Sequence, residues 1–224
     1  MLLPVLTAMV CFVSFFLLIR DTEEQNNRIN SASPEGDAVA VIPKSVWIYS
    51  AVCIVLTVTV AAFFQKLYPH NSGWVNIKRM VLLGIIWPLA YIDAKTYRIP
   101  NKFILFGLIS RAVILIFELL FGNEYIWASL ISEVIASVAL LLASLLCVLV
   151  VKNGIGYGDM KLFVIMGLLL GTEGIWSAIF LALIVSFVIA VVVLLTKKKT
   201  RRDAIPFGPA IVIGTYLSVC LSGM

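Results

Sequence analysis

Histidine is almost missing from this chain: His70 is the only one in 224 residues. It stands in a polar stretch, residues 68–73, with no partner residues patterned around it. A histidine-based triad or metal site is therefore not indicated. Cysteine is sparse too. Cys11, Cys53, Cys147 and Cys220 each lie inside an apolar run, and none forms a C-x-x-C pair. That argues against structural zinc and against a disulfide framework, and leaves the four as small hydrophobes. Charge is scarce, at 13% of residues against 62% apolar. No basic-aromatic surface is interleaved along the chain, so its net charge of +5 is not a nucleic-acid footprint. No internal repeat is present.

What the chain has instead is length of apolar run. A soluble core needs far less apolar residue than this. Runs near the ~20 residues that cross a ~30 Å hydrocarbon layer recur throughout. Eight spans are predicted, at residues 2–19, 46–64, 75–92, 103–121, 125–151, 160–170, 175–195 and 207–221. Backbone groups in lipid must be satisfied within the span, so all are read as helices. The expected fold is all-α, a polytopic membrane protein with about eight transmembrane helices and the lipid bilayer as its surroundings. The first span has no basic residue ahead of it and no clear small-x-small cleavage site, so it is read as a retained helix. Residues 20–44, rich in Asn, Ser, Pro, Glu and Asp, read as a flexible loop. Residues 1–74 are read as an N-terminal transmembrane hairpin with that loop, and residues 75–224 as a second membrane domain.

Orientation follows from the basic residues. Placing Asp93, Asp159 and the Lys/Arg run at 197–202 in the cytoplasm also puts Arg20, Arg28, Lys44, Lys95, Arg98, Lys102, Lys152 and Lys161 on that side. The turns at 122–124 and 171–174 then face outward with no Lys or Arg. Only Lys66, Lys78 and Arg79 violate the rule. The two aspartates thus reach one face of a cell membrane without any catalytic assumption.

Each aspartate sits where an apolar run breaks. Asp93 precedes Ala94-Lys95-Thr96-Tyr97-Arg98-Ile99-Pro100-Asn101, and Asp159 closes Gly154-Ile155-Gly156-Tyr157-Gly158-Asp159. Carboxylates at a membrane boundary are functional candidates by default. Two at one depth suggest a pair sharing a proton. Taken singly, Asp93 reads as a solvated helix end and Asp159 as a helix N-cap. The glycines at 154, 156 and 158 are read as permitting unusual backbone angles and close approach of a substrate. Lys161 either snorkels to the interface or biases the shared proton. Arg111 in the fourth span and Glu133 in the fifth match in depth within a turn, which predicts a buried ion pair. Glu118 is expected near enough to the outer edge to reach water.

Three stretches together resemble the type IV prepilin peptidases, the G-x-G-D membrane aspartyl proteases. They are Asp93 with Arg98-Ile99-Pro100-Asn101, then Gly156-Tyr157-Gly158-Asp159-Met160-Lys161-Leu162, then Ile205-Pro206-Phe207-Gly208-Pro209. The resemblance covers about residues 75–224. It implies endoproteolysis of the short basic leader of a prepilin or pseudopilin at the cytoplasmic side, with Asp93 and Asp159 as the catalytic pair and no metal or organic cofactor. The leader would end in glycine, and an apolar segment would follow the cut. Gly156, Gly158, Lys161, Pro206, Phe207, Gly208 and Pro209 would shape the site. Larger members carry a cysteine-rich loop after the first helix, and many methylate the new amino terminus. The 20–44 segment has no cysteine, so the chain looks like the compact, peptidase-only members and N-methyl transfer is unsupported.

The chemistry follows from two close carboxylates, which do not easily both ionise. One takes a proton from water and the other donates to the scissile carbonyl, and sequence does not assign which is which. Two rivals stand beside this reading: a small proton-coupled transporter using Asp93, Asp159, Arg111 and Glu133 as a relay, and a non-catalytic subunit of a pilus or secretion assembly.

Overall fold

The computed structural model describes residues 2–32, 44–67, 72–121, 124–150, 156–196 and 206–221. His70, Gly154 and the basic run at 197–202 fall outside them. Among the described residues the regular structure is seven helices: α1 (Leu2–Ala32), α2 (Lys44–Leu67), α3 (Gly73–Thr96), α4 (Asn101–Leu120), α5 (Ile126–Val150), α6 (Tyr157–Leu195) and α7 (Gly208–Leu221). The first six are long and apolar enough to cross a membrane. The protein is thus a multi-pass helical membrane protein.

α3 is the axis. Its most apolar window is 83% buried, against 11–28% for the corresponding windows of the other five long helices, whose apolar faces are left to lipid. Trp87 is the largest fully buried side chain and sits in α3 beside Pro88. α1, α2, α4, α6 and α7 all pack on this helix.

The sixth and seventh predicted spans are joined as one hydrogen-bonded run of 39 residues. Straight, it would rise roughly 58 Å at about 1.5 Å per residue, twice a ~30 Å hydrocarbon layer. It is not straight. Gly171 breaks it with φ +65°, ψ −174°. Before the break, Phe163 meets Phe207 at the start of α7. After it, Ser177 bonds to Ser218, while Ala182 backs onto Gly214. Partners on α7 therefore advance from 207 to 218 and then return to 214, so the chain reverses between 163 and 177. Gly171 supplies the left-handed backbone that a residue with a Cβ resists. Counted by arms, residues 157–170 and 172–195 are the two spans that the run lengths predict. The first begins at Tyr157, three residues earlier than expected.

The predicted loop at 20–44 is corrected over its first part. α1 continues through Arg20 to Ala32. Gln25 bonds to Asp21 one turn back at 3.0 Å, and Glu24 forms an ion pair with Lys102 at the start of α4. Polar composition here marks a helix leaving the apolar layer, not the end of the helix.

Arg111 and Glu133 pair as depth matching predicts, but within a larger cluster. Arg111 Nε and Nη2 each lie 2.6 Å from Glu133 Oε2. Lys78 Nζ lies 2.6 Å from Glu133 Oε1 and 3.3 Å from Glu118 Oε1, and Arg111 Nη1 is 3.1 Å from Glu118 Oε2. Ser129 adds its hydroxyl to Glu133 at 3.0 Å. Two cations and two carboxylates from α3, α4 and α5 thus neutralise one another in the interior. Glu118 does not reach water: it is fully buried, held by charge rather than by aligned hydrogen bonds. Lys78 breaks the positive-inside pattern because it is committed to this cluster. Buried Arg79 lies over the Phe64 ring, 5.9 Å from its centroid.

Removing one member of such a cluster strands a buried charge and costs about 3–5 kcal/mol. Glu133→Gln and Arg111→Gln are each expected to lower the thermal midpoint in detergent markedly. The double variant leaves Lys78 and Glu118 matched and is expected to be milder than either single change. Thermal unfolding of the three variants checks this, and a double variant worse than both singles contradicts it.

Candidate active site

Three helix ends meet at one end of the bundle. The first is the C-terminal turn of α3. Asp93 lies within it, four residues ahead of Tyr97, whose N–H closes the turn on the Asp93 carbonyl at 2.9 Å. Tyr97 takes a left-handed backbone, φ 53°, which stops the helix at Thr96, three residues past the aspartate. The extended Pro100 then opens α4.

The second end is the start of α7. Gly208 N–H donates to Asp93 Oδ2 at 2.7 Å, and the Phe207 N–H is directed to the same carboxylate. The first-turn N–H groups of a helix have no partner within it, and they sit at the positive end of its dipole. Asp93 uses them. It is therefore no solvated loop carboxylate; only 6% of its surface is exposed. Gly208 is required by closeness: a Cβ there would lie 2.8 Å from Asp93 Oδ2 and 2.9 Å from its Cβ. Pro209 occupies the first turn, where its missing N–H costs no intrahelical bond.

The third end is the start of α6. Its N-cap is Gly156, with no side-chain cap. Asp159 is the third residue of the helix proper, not the N-cap, and its carboxylate reaches back to the Gly156 N–H. Gly156 has an ordinary extended backbone, φ −71°, ψ 142°. The predicted unusual angles are absent at Gly156 and Gly158, and among the described residues Gly171 is the glycine with positive φ. What the two contribute is a missing Cβ. One at Gly156 would touch Asp159 Oδ2 at 3.4 Å, and one at Gly158 would press on Ile99 at 3.0 Å.

Asp93 and Asp159 lie within electrostatic reach of each other. Phe163 and Phe207 close the α6–α7 side edge to face, 6.1 Å between centroids. Lys161 is exposed and donates to Asn101 Oδ1 at 2.9 Å, fastening the start of α6 to the start of α4. Of the candidate residues, Asp93, Asp159, Gly156, Gly158, Phe207 and Gly208 converge here, with Pro206 and Pro209 flanking. Asn101 and Tyr97 were not singled out from sequence. The R-I-P-N string was the available signal for the first; nothing marks a tyrosine for a left-handed turn.

The arrangement is thus a polytopic helical membrane bundle in which a buried aspartate, Asp93, and a half-buried one, Asp159, approach at helix ends. The profile of the type IV leader peptidase family matches residues 80–195, and the chain belongs to that family. It is 27% identical over 139 residues to the prepilin leader peptidase/N-methyltransferase of Bacillus subtilis, covering 62% of this chain and 53% of that protein. The protein of the same name from Aeromonas hydrophila is 29% identical over 152 residues, 66% of this chain and 50% of the relative. That from Neisseria gonorrhoeae is 26% identical over 155 residues, 67% and 50%. The chain spans about half the length of the curated relatives it matches. No solved structure matches it.

Overpacking a close-fitting site costs about 1–3 kcal/mol. Gly208→Ala should therefore lower the thermal midpoint, by prying α7 from Asp93. Gly73→Ala, where a Cβ meets nothing within 4 Å, should leave the midpoint unchanged. Equal midpoints for the two variants would rule out the tight contact at Gly208.

Proposed function

We propose that the protein is an aspartic endopeptidase that removes the basic leader from a type IV prepilin or pseudopilin, using Asp93, Asp159 and one water. The observation that carries this is the meeting of two carboxylates, each already supplied with backbone N–H donors, at helix ends. Two carboxyl groups so placed hold one proton between them more readily than none. The ionised member draws a proton from water as the oxygen attacks the scissile carbonyl. The protonated member donates to the carbonyl oxygen; the first member then passes the proton it took from water to the leaving amine as the C–N bond breaks, and the second recovers its own from the gem-diol hydroxyl as the carbonyl re-forms. Backbone N–H groups at Gly208 and Gly156 stabilise an ionised carboxylate without a basic side chain, so either aspartate suits either role.

The basic residues flanking the spans support a cytoplasmic position for this end of the bundle. A basic leader would gather at the anionic inner leaflet, close to that depth. In this reading residues 75–224 form the catalytic membrane domain, with residues 1–74 as a hairpin packed on it. The reading stops at hydrolysis; the second activity in the relatives' names is said of them. A transporter relay is less well supported. Lys78, Arg111, Glu118 and Glu133 satisfy one another at the opposite end of α3 from Asp93.

Asp93→Asn and Asp159→Asn are each expected to abolish processing of a co-expressed prepilin, read as loss of the leader-length mobility shift, while the protein still accumulates in the membrane. The wild-type rate should rise and then fall with pH, since one carboxyl must be ionised and the other protonated. Substantial cleavage by either variant would overturn the assignment.

A further inference from the structure

An apolar groove of about 480 Å³ runs along α3 between α2 and α7. Each helix presents one stripe to it: Val52 and Cys53 from α2, Ala90 and Ala94 from α3, Pro209 and Ile213 from α7. The polar groups on its walls are already engaged. Tyr49 donates to the Trp87 carbonyl at 2.9 Å, Tyr91 bonds Ser45, and Tyr216 bonds Thr57. What remains is ring face, methyl and small side chain. The floor alanines let another helix approach closely, as at packed interfaces within membranes. The Thr57–Tyr216 bond ties α2 to α7 at the end remote from the aspartates. At the near end the groove reaches Ala94 and Pro209, the residues next along the chain from Asp93 and from Gly208, whose N–H holds Asp93. Its stripes span eight to nine residues, a rise of roughly 11 Å at about 1.5 Å per residue, two turns.

We infer that this groove seats the first two turns of the substrate's apolar helix, immediately beyond the scissile bond. An apolar channel whose near end lies one residue from Asp93 and which runs along α3 fits an extended leader continuing as a membrane-embedded helix, a helix-in-groove mode of recognition. Two of its three walls, α2 and α7, lie outside the family-matched residues 80–195. The segments flanking the matched region thus supply substrate seating. The inference rests on the peptidase reading above.

The test uses the full-length protein in membranes with a full-length type IV prepilin as probe. A photo-reactive phenylalanine analogue replaces Val52 or Ile213 in the Asp159→Asn background, with the lipid-facing Ile135 of α5 as control. Cross-links to the prepilin's apolar segment should form at 52 and 213 at least fivefold more than at 135. Ala90→Trp, which fills the floor, and Leu217→Trp, at the rim, should each lower kcat/KM at least tenfold through KM, in otherwise wild-type protein. If wild-type protein cleaves the prepilin but cross-links are no stronger at the groove than at 135, the groove proposal is overturned and hydrolysis stands. Tryptophan variants that process at the wild-type rate overturn it equally. If wild-type protein cleaves no prepilin, the peptidase reading falls and takes this one with it. Should Ala90→Trp not fold, Leu217→Trp and the cross-links decide.

Discussion

A charge survives at membrane depth only behind protein, and α3 is the helix that this bundle wraps most completely. The constraint organises the rest. α3 carries Lys78 and Arg79 near one end and Asp93 near the other, all buried. No helix facing lipid on most of its surface could hold three ionisable side chains without exposing one to hydrocarbon. Five helices pack around it, and the two polar centres of the molecule hang from its ends.

The centres solve the burial of charge in opposite ways. At the Lys78 end, opposite charges cancel: two cations meet two carboxylates, and the group is neutral as a whole. At the Asp93 end, like charges are brought together, and no cationic side chain has a described contact with either carboxylate. There the compensation is backbone: the N–H groups of Phe207 and Gly208 for Asp93, and of Gly156 for Asp159. A guanidinium would fix a carboxylate as an anion. A helix end stabilises the charge more weakly and leaves the proton exchangeable. The first arrangement suits a fastening and the second suits acid–base work.

The sequence was legible where a physical rule acts on one helix at a time. Run lengths separated the arms of α6 although hydrogen bonding joins them across Gly171. Basic residues brought Asp93 and Asp159 to one end, and counting turns paired Arg111 with Glu133. It was misread where the answer depended on a third partner. Lys78 looked like an orientation error because its two carboxylates come from other helices. Glu118 was assigned to water on depth alone, yet depth does not say which face of α4 meets protein. Residues 20–32 were taken for a loop because polar composition was read as loss of structure, when Lys102 of α4 gives that helix a partner. The glycines beside Asp159 suggested special backbone angles. Only coordinates could show that the missing Cβ is what matters there.

The lengths of two helices set the depth of the candidate site. The first arm of α6 and the whole of α7 each rise roughly 21 Å, against a hydrocarbon layer of ~30 Å. Both begin at the aspartates. The far end of the α6 arm is pinned where Ser132 bonds Thr172, one residue along α5 from Glu133 of the ionic cluster. An arm anchored there is about 9 Å shorter than such a layer is thick. For the proposed peptidase, that shortfall favours a recess lined by helix ends as the route to the carboxylates. A water entering it would meet two carboxyl groups and few competing solvent molecules. On this view the ionic cluster at the far end of α3 bears on the site without touching it, through the α6 arm anchored beside Glu133.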